Sequence, residues 1–303
     1  MKHHYIPQFY LKQWEGSDQK LQVYLRRGDG LIIAKRMARK ATGYEVDLYK
    51  LPGATSEREH EVEYMFMALV DDEAVRVRDG MMASILPKEQ QKRFAWARFV
   101  LSLVIRNPDE LKTFKADYAK HLLLPDPAFQ ARYAAMRQEG DPELFEDWIV
   151  KTDPTYAERQ AVVTLTRLIE NHSVLRLLRT MHWRIIDTSR ASRRLMTSDR
   201  PVMMTNGMVH YKGHYALPIS PTRLFLATTA VQFADEFCAL PAGKIVREVN
   251  RMVIGQARKF VYALDDANLA EVRRGFSKLE APSLVPDMSR SLTPKKMPLK
   301  IQG

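Results

Sequence analysis

Two adjacent histidines, His3 and His4, stand at the start of a chain that has only eight in 303 residues. Histidine changes charge near neutral pH and is the commonest metal-binding side chain, so such a pair can supply acid, base or ligand chemistry. Two carboxylates complete a candidate set: Glu63, at the border of an apolar helical stripe, and Asp199, in the turn Thr197-Ser198-Asp199-Arg200-Pro201. Together His3, His4, Glu63 and Asp199 would hold a divalent metal (Mg, Mn or Zn) with positions left open for a phosphate. Without a metal, the histidines would serve as acid and base. Either way the predicted reaction is hydrolysis of a phosphodiester. Tyr5, Gln8, Arg98, Arg106 and Arg200 are the candidate substrate-binding residues, because a guanidinium fork matches phosphate geometry. Each residue also has a structural alternative: a histidine bonded to backbone, a carboxylate on a solvated helix face, an aspartate closing an Asx turn.

These groups need elements to position them. Tyr5, Ile6, Phe9, Tyr10, Leu11 and Trp14 form an apolar run that must be buried, which anchors the histidines to the core. Adjacent strand residues point to opposite faces, so both histidines meet one ligand only in an irregular conformation. Leu21–Leu25 and Leu31–Ala34 flank Gly28-Asp29-Gly30 as a hairpin, and Tyr44–Tyr49 alternates as a third strand. From Ser56, an N-cap, to about Asp79 the apolar residues Val62, Met65, Phe66, Leu69 and Val70 recur at helical spacing. Further helices are expected at 88–106, 109–121, 127–138, 142–150, 154–180 and 244–259. Short strands surround His182–Asp187, Leu195–Val202, Leu217–Ala227 and Phe260–Ala263.

The fold class that follows is α+β: a small, mainly antiparallel sheet from both chain ends packed against a helical middle, about 56–180. Residues 1–280 are read as a single domain, and 281–303 as a basic, proline-containing tail, extended or disordered. Hydrophobic residues make up 46% and charged residues 27%, which excludes wholesale disorder. No apolar run reaches the roughly 20 residues of a spanning helix, and the polar Lys2-His3-His4 start lacks a signal-peptide core. A cytoplasmic protein without membrane contact is expected.

One cysteine, Cys238, excludes an intrachain disulfide framework or thiolate zinc site, and its apolar neighbours suggest a small buried hydrophobe. The net charge of +11 favours a phosphate-rich partner, nucleic acid above all. Walker, GxGxxG and GxSxG spacings are absent. Two other readings remain open at this stage: a non-enzymatic nucleic-acid-binding protein with a basic surface, and a small-molecule enzyme using the same pocket.

Three motifs in order resemble an uncharacterised bacterial family whose members begin His-His-Tyr-(Ile/Val)-Pro-Gln-Phe-Tyr-Leu. Here they are His3 to Leu11, Thr197-Ser198-Asp199-Arg200-Pro201-Val202 and Leu217-Pro218-Ile219-Ser220-Pro221. The resemblance spans roughly residues 3 to 263 and implies a glutamate-bearing helix after the small β region, where Glu63 is the match. It implies no particular reaction.

Overall fold

Alternating apolar residues and turn signals build ten short strands among the residues that the computed structural model describes, 1–205, 207 and 210–280. They are β1 (Lys2–His4), β2 (Leu21–Arg26), β3 (Ile32–Met37), β4 (Tyr44–Val46), β5 (His182–Asp187), β6 (Thr197–Ser198), β7 (Met203–Thr205), β8 (His214–Ser220), β9 (Arg223–Thr228) and β10 (Phe260–Ala263). The helices are α1 (Gln8–Leu11), α2 (Ala68–Met82), α3 (Gln90–Ile105), α4 (Pro108–Leu122), α5 (Pro127–Met136), α6 (Phe145–Thr152), α7 (Tyr156–Ile169), α8 (His172–Thr180), α9 (Val231–Cys238), α10 (Ala242–Gln256) and α11 (Leu269–Gly275). The expected basic tail, 281–303, lies outside the described residues.

The α+β class holds, with antiparallel strands and a helical middle. Instead of one small sheet there are three. β1 pairs with β4; a second sheet runs β3-β2-β10-β6; the third runs β5-β9-β8-β7. The second sheet joins the two chain ends, since β10 lies between the early β2 and the late β6.

The apolar run after the histidines is buried as expected: Tyr5, Ile6, Tyr10, Leu11 and Trp14 are all 2% exposed or less. Its polar handles fasten it to the far end of the sequence. The Tyr10 hydroxyl donates to the Pro218 carbonyl and bonds Thr197 Oγ1, both at 2.7 Å, and Trp14 Nε1 donates to the Leu195 carbonyl. Gly43 permits the close approach of the next loop: its φ is +68°, and a Cβ there would lie 3.2 Å from Ile6. Trp96 of α3 and Trp183 of β5 both meet Phe225 of β9 edge-on, which joins the helical layer to the third sheet.

Four expectations change. Tyr44 to Val46 pairs with the histidine strand rather than extending the hairpin. The single helix expected at 154–180 is two, because the Asn171 side chain accepts from Ser173 N and Val174 N and so caps a new helix start. Cys238 is exposed at the end of α9, not buried. Ser56 caps no helix; turns run to a π-helix, Val62–Met67, which leads into α2.

The π-helix explains why the expected apolar stripe is only partly right. Its wider turn rotates the chain, so Val62 and Met67 join Val70, Ala74, Val77 and Met81 inside, while Met65 and Leu69 are 66% and 56% exposed. Glu63 is thereby turned toward the interior.

Candidate functional site

His3 and His4 alternate on β1, so they part company. His3 is fully buried, with Nδ1 accepting the Tyr49 backbone N–H at 2.9 Å and Nε2 lying 3.1 Å from Nδ1 of His60. The Tyr49 ring stacks on His3, and the His60 ring meets it at 90°. Burial, the neighbouring His60 and the terminal amine push His3 down to about pH 4, so the ring is neutral at physiological pH. With its Nδ1 lone pair taken, the neutral ring carries its proton on Nε2 and donates to His60. His60 Nε2 in turn lies 3.3 Å from Glu59 Oε1.

Asp47 joins this group from the loop after β4, where its φ of +56° turns the chain, and its carboxylate takes the Met1 ammonium. One donor atom from each of His3, Asp47 and His60 falls within 4.8 Å of the other two. Two imidazoles and a carboxylate suit a borderline transition metal. Coordination through His3 Nε2 would move its proton to Nδ1 and orphan the Tyr49 N–H. That costs about 1–3 kcal/mol. These three residues could hold a metal.

A second set lies across Tyr49. The Tyr49 hydroxyl donates to the Arg106 backbone carbonyl at 3.1 Å. Arg106 has a fully buried side chain, and its Nη2 donates to Asp71 Oδ1 at 3.0 Å. Its Nε and Nη1 have no hydrogen-bond partner, and neither has Oε2 of Glu63. Glu63 accepts from the backbone N–H of His4, one residue from His3. Burial pushes Glu63 up to about pH 7, only partly offset by the Arg106 charge, and burial likewise raises Asp71. A carboxyl poised near neutrality beside a guanidinium with free N–H groups can exchange a proton and hold an oxyanion.

The other expected members lie elsewhere. The His4 ring packs on Tyr44 across the strand pair, its Nε2 buried without a partner, and burial lowers its basicity. Asp199 is 2% exposed, and both its oxygens are occupied by backbone: Oδ1 accepts from Arg258 N, Oδ2 from Lys259 N and Phe260 N. It clasps the approach to β10 against β6, so the four-ligand set His3, His4, Glu63 and Asp199 does not form. Burial still raises Asp199 to about pH 6 against those three N–H groups. Tyr5 is buried near Asp199, Glu45 and Asp109, which with burial raise its phenol far above the usual range. Gln8 heads α1, half-buried.

Two of the three expected phosphate-binding arginines are taken by ion pairs. Arg98 bridges Glu170 at 2.9 Å and Glu73 at 2.7 Å, tying α3 to α7 and α2. Arg200 pairs with Glu110 and Asp109 and lines a cleft with Leu103, Val104, Asn107, Pro201, Val202 and Met204. Arg106 alone of the three keeps two unpartnered nitrogens besides its ion pair. Sequence reasoning missed Asp47, Tyr49 and His60. His60 carried a signal, as one of eight histidines and next to Glu59; Asp47 carried none beyond its place inside an alternating run.

An α+β chain with a buried histidine, His3, beside a carboxylate–guanidinium cluster of Glu63, Asp71 and Arg106 is thus the class defined by fold and site. The chain belongs to the family described as Protein of unknown function (DUF4238), which it matches over residues 2–267. No curated protein and no solved structure matches it. Among the described residues no helix is long and apolar enough to cross a membrane.

Proposed function

We propose that the protein hydrolyses phosphodiesters, with nucleic acid as its substrate class, at the cluster of Glu63 and Arg106. The observation that carries this reading is the set of three buried, unpartnered polar atoms: Oε2 of Glu63 and Nε and Nη1 of Arg106. Native interiors satisfy nearly all their buried polar atoms, so such a set calls for a polar molecule to complete it. These atoms are sealed from solvent; once the chain over them opens, a phosphate oxygen would satisfy the guanidinium N–H groups and a water the carboxylate. Glu63, near pH 7, then takes the proton as the water oxygen attacks phosphorus and the bond to the leaving oxygen breaks. Asp71 holds the guanidinium in place, and Tyr49 holds the backbone that carries it. The net charge of +11 would draw a polyanion toward the chain, though not specifically to this cluster.

The test is to incubate the purified protein with labelled single-stranded RNA, single-stranded DNA and duplex DNA, with EDTA or with Mg²⁺, Mn²⁺ or Zn²⁺. Cleavage should appear on at least one substrate and fall by about 10²-fold or more in Glu63→Gln, the range of general acid–base catalysis. Salt-sensitive binding without turnover under every condition would replace this reading with a non-enzymatic nucleic-acid-binding role.

A further inference from the structure

The neighbourhood of the proposed catalytic cluster is rich in carboxylates, with Asp47, Glu59, Glu63 and Asp71 on adjoining segments. Three of these carboxylates already have a cationic partner: Met1 for Asp47, Lys50 for Glu59 and Arg106 for Asp71. The only cluster of three or more histidine, cysteine or acidic side chains with converging donor atoms among the described residues is His3, Asp47 and His60. We infer that these three residues form a binding site for one divalent transition metal, with coordination positions open to water or to a substrate oxygen.

The donor set selects the metal class. Two imidazole nitrogens favour Zn²⁺ or a similar late transition ion over Mn²⁺, Mg²⁺ and Ca²⁺, which suit oxygen-rich shells. The geometry is close to what such an ion needs. His3 Nε2 and His60 Nδ1 are 3.1 Å apart, against about 3.3 Å for two ligands of a tetrahedral zinc with bonds near 2.0–2.1 Å. The widest donor separation, up to 4.8 Å, must shrink to about 4 Å or less, which is the reach of two such bonds. Asp47 and His60 are both partly exposed, and the shift would draw Asp47 from the Met1 ammonium and His60 from the Glu59 carboxylate. Loading must also break the Tyr49 N–H bond to His3 Nδ1. That contact is a built-in reporter of occupancy.

The site rests on the hydrolytic reading only for what the metal would do, not for whether it binds. The experiment uses the full chain without a polyhistidine tag, stripped with EDTA and titrated by calorimetry with ZnCl₂, MnCl₂ and MgCl₂. One equivalent of Zn²⁺ should bind, more tightly than Mn²⁺ or Mg²⁺, and His60→Ala and Asp47→Asn should each weaken it by about 100-fold or more, beyond the roughly 10–100-fold cost of losing a group that only orients a ligand. The Tyr49 amide resonance should move on loading. No transition-metal binding, or binding unchanged in both His60→Ala and Asp47→Asn, overturns the site. Metal binding without phosphodiester cleavage sinks the proposed reaction and leaves the site standing; cleavage without metal binding does the reverse.

Discussion

The backbone N–H of Tyr49 donates to Nδ1 of His3 at 2.9 Å, and the two rings stack with centroids 5.5 Å apart. This contact settles which nitrogen of His3 faces His60 with a proton, and it puts Tyr49 between the histidine pair and Arg106. Two functional groups far apart in sequence share one rigid spacer.

His3→Asn and His3→Ala should separate the two jobs of this histidine. Asparagine offers an oxygen to the Tyr49 N–H, whereas alanine leaves that N–H orphaned above a cavity. His3→Ala should lose on the order of 2–4 kcal/mol of stability, and His3→Asn clearly less, by urea denaturation. Both should lose Zn²⁺ affinity, since neither keeps Nε2. Equal destabilisation by the two variants would show that the Tyr49 contact contributes little.

Stability should depend on pH through Glu63. Its pKa is raised in the fold to about 7 from the ordinary 4.5, so the native state holds a proton that the unfolded state has released between those values. The stabilising contribution is therefore present below about pH 4.5 and lost as pH rises through 7. Glu63→Gln should remove this slope and gain on the order of 1–3 kcal/mol at about pH 8 relative to pH 5, compared with wild type. Parallel melting-temperature curves for the two proteins would contradict it.

Arg106→Lys keeps the charge but not the planar fork. A lysine cannot hold Asp71 and present two further N–H groups in fixed geometry. Phosphodiester turnover should fall by about 10²-fold, the loss seen when one donor to a developing oxyanion is removed. A wild-type rate in a folded Arg106→Lys would show that the guanidinium does not touch substrate.

Asp199→Asn should act on the fold alone. The amide turns an N–H group toward backbone N–H groups that now meet a carboxylate. A loss of about 2–4 kcal/mol is expected from such a buried mismatch. The fraction that stays folded should bind Zn²⁺ with wild-type affinity, by calorimetry. A selective loss of metal binding would return Asp199 to the site.

Local chemistry made part of this arrangement readable from sequence. The apolar residues Tyr5 to Trp14 had to be buried, and Glu63 at the edge of an apolar stripe was the carboxylate most suited to turn inward. Arg106 was named with Arg98 and Arg200 for the fit of a guanidinium to phosphate, and nothing in the sequence set it apart from them. What stayed hidden depends on register and long-range pairing. The π-helix is invisible to a period of 3.6 residues, so Met65 and Leu69 seemed to face the core and instead face solvent. Asp199 looked open at a strand end, but its oxygens meet an N–H run some sixty positions later, which no local pattern encodes. His3 meets His60 only because β1 pairs with β4 and the chain then turns back at Asp47.

The most direct measurement is the pH dependence of kcat/KM for cleavage of a fluorescent oligonucleotide, wild type against Glu63→Gln, over about pH 5.5 to 8.5. If Glu63 is the base, the wild-type rate climbs with pH and levels off above an apparent pKa near 7. In Glu63→Gln that limb disappears and the plateau drops by about 10²-fold or more. Superimposable profiles for the two proteins, or no cleavage by wild type with any of the three metals, would contradict a hydrolytic centre at Glu63 and Arg106.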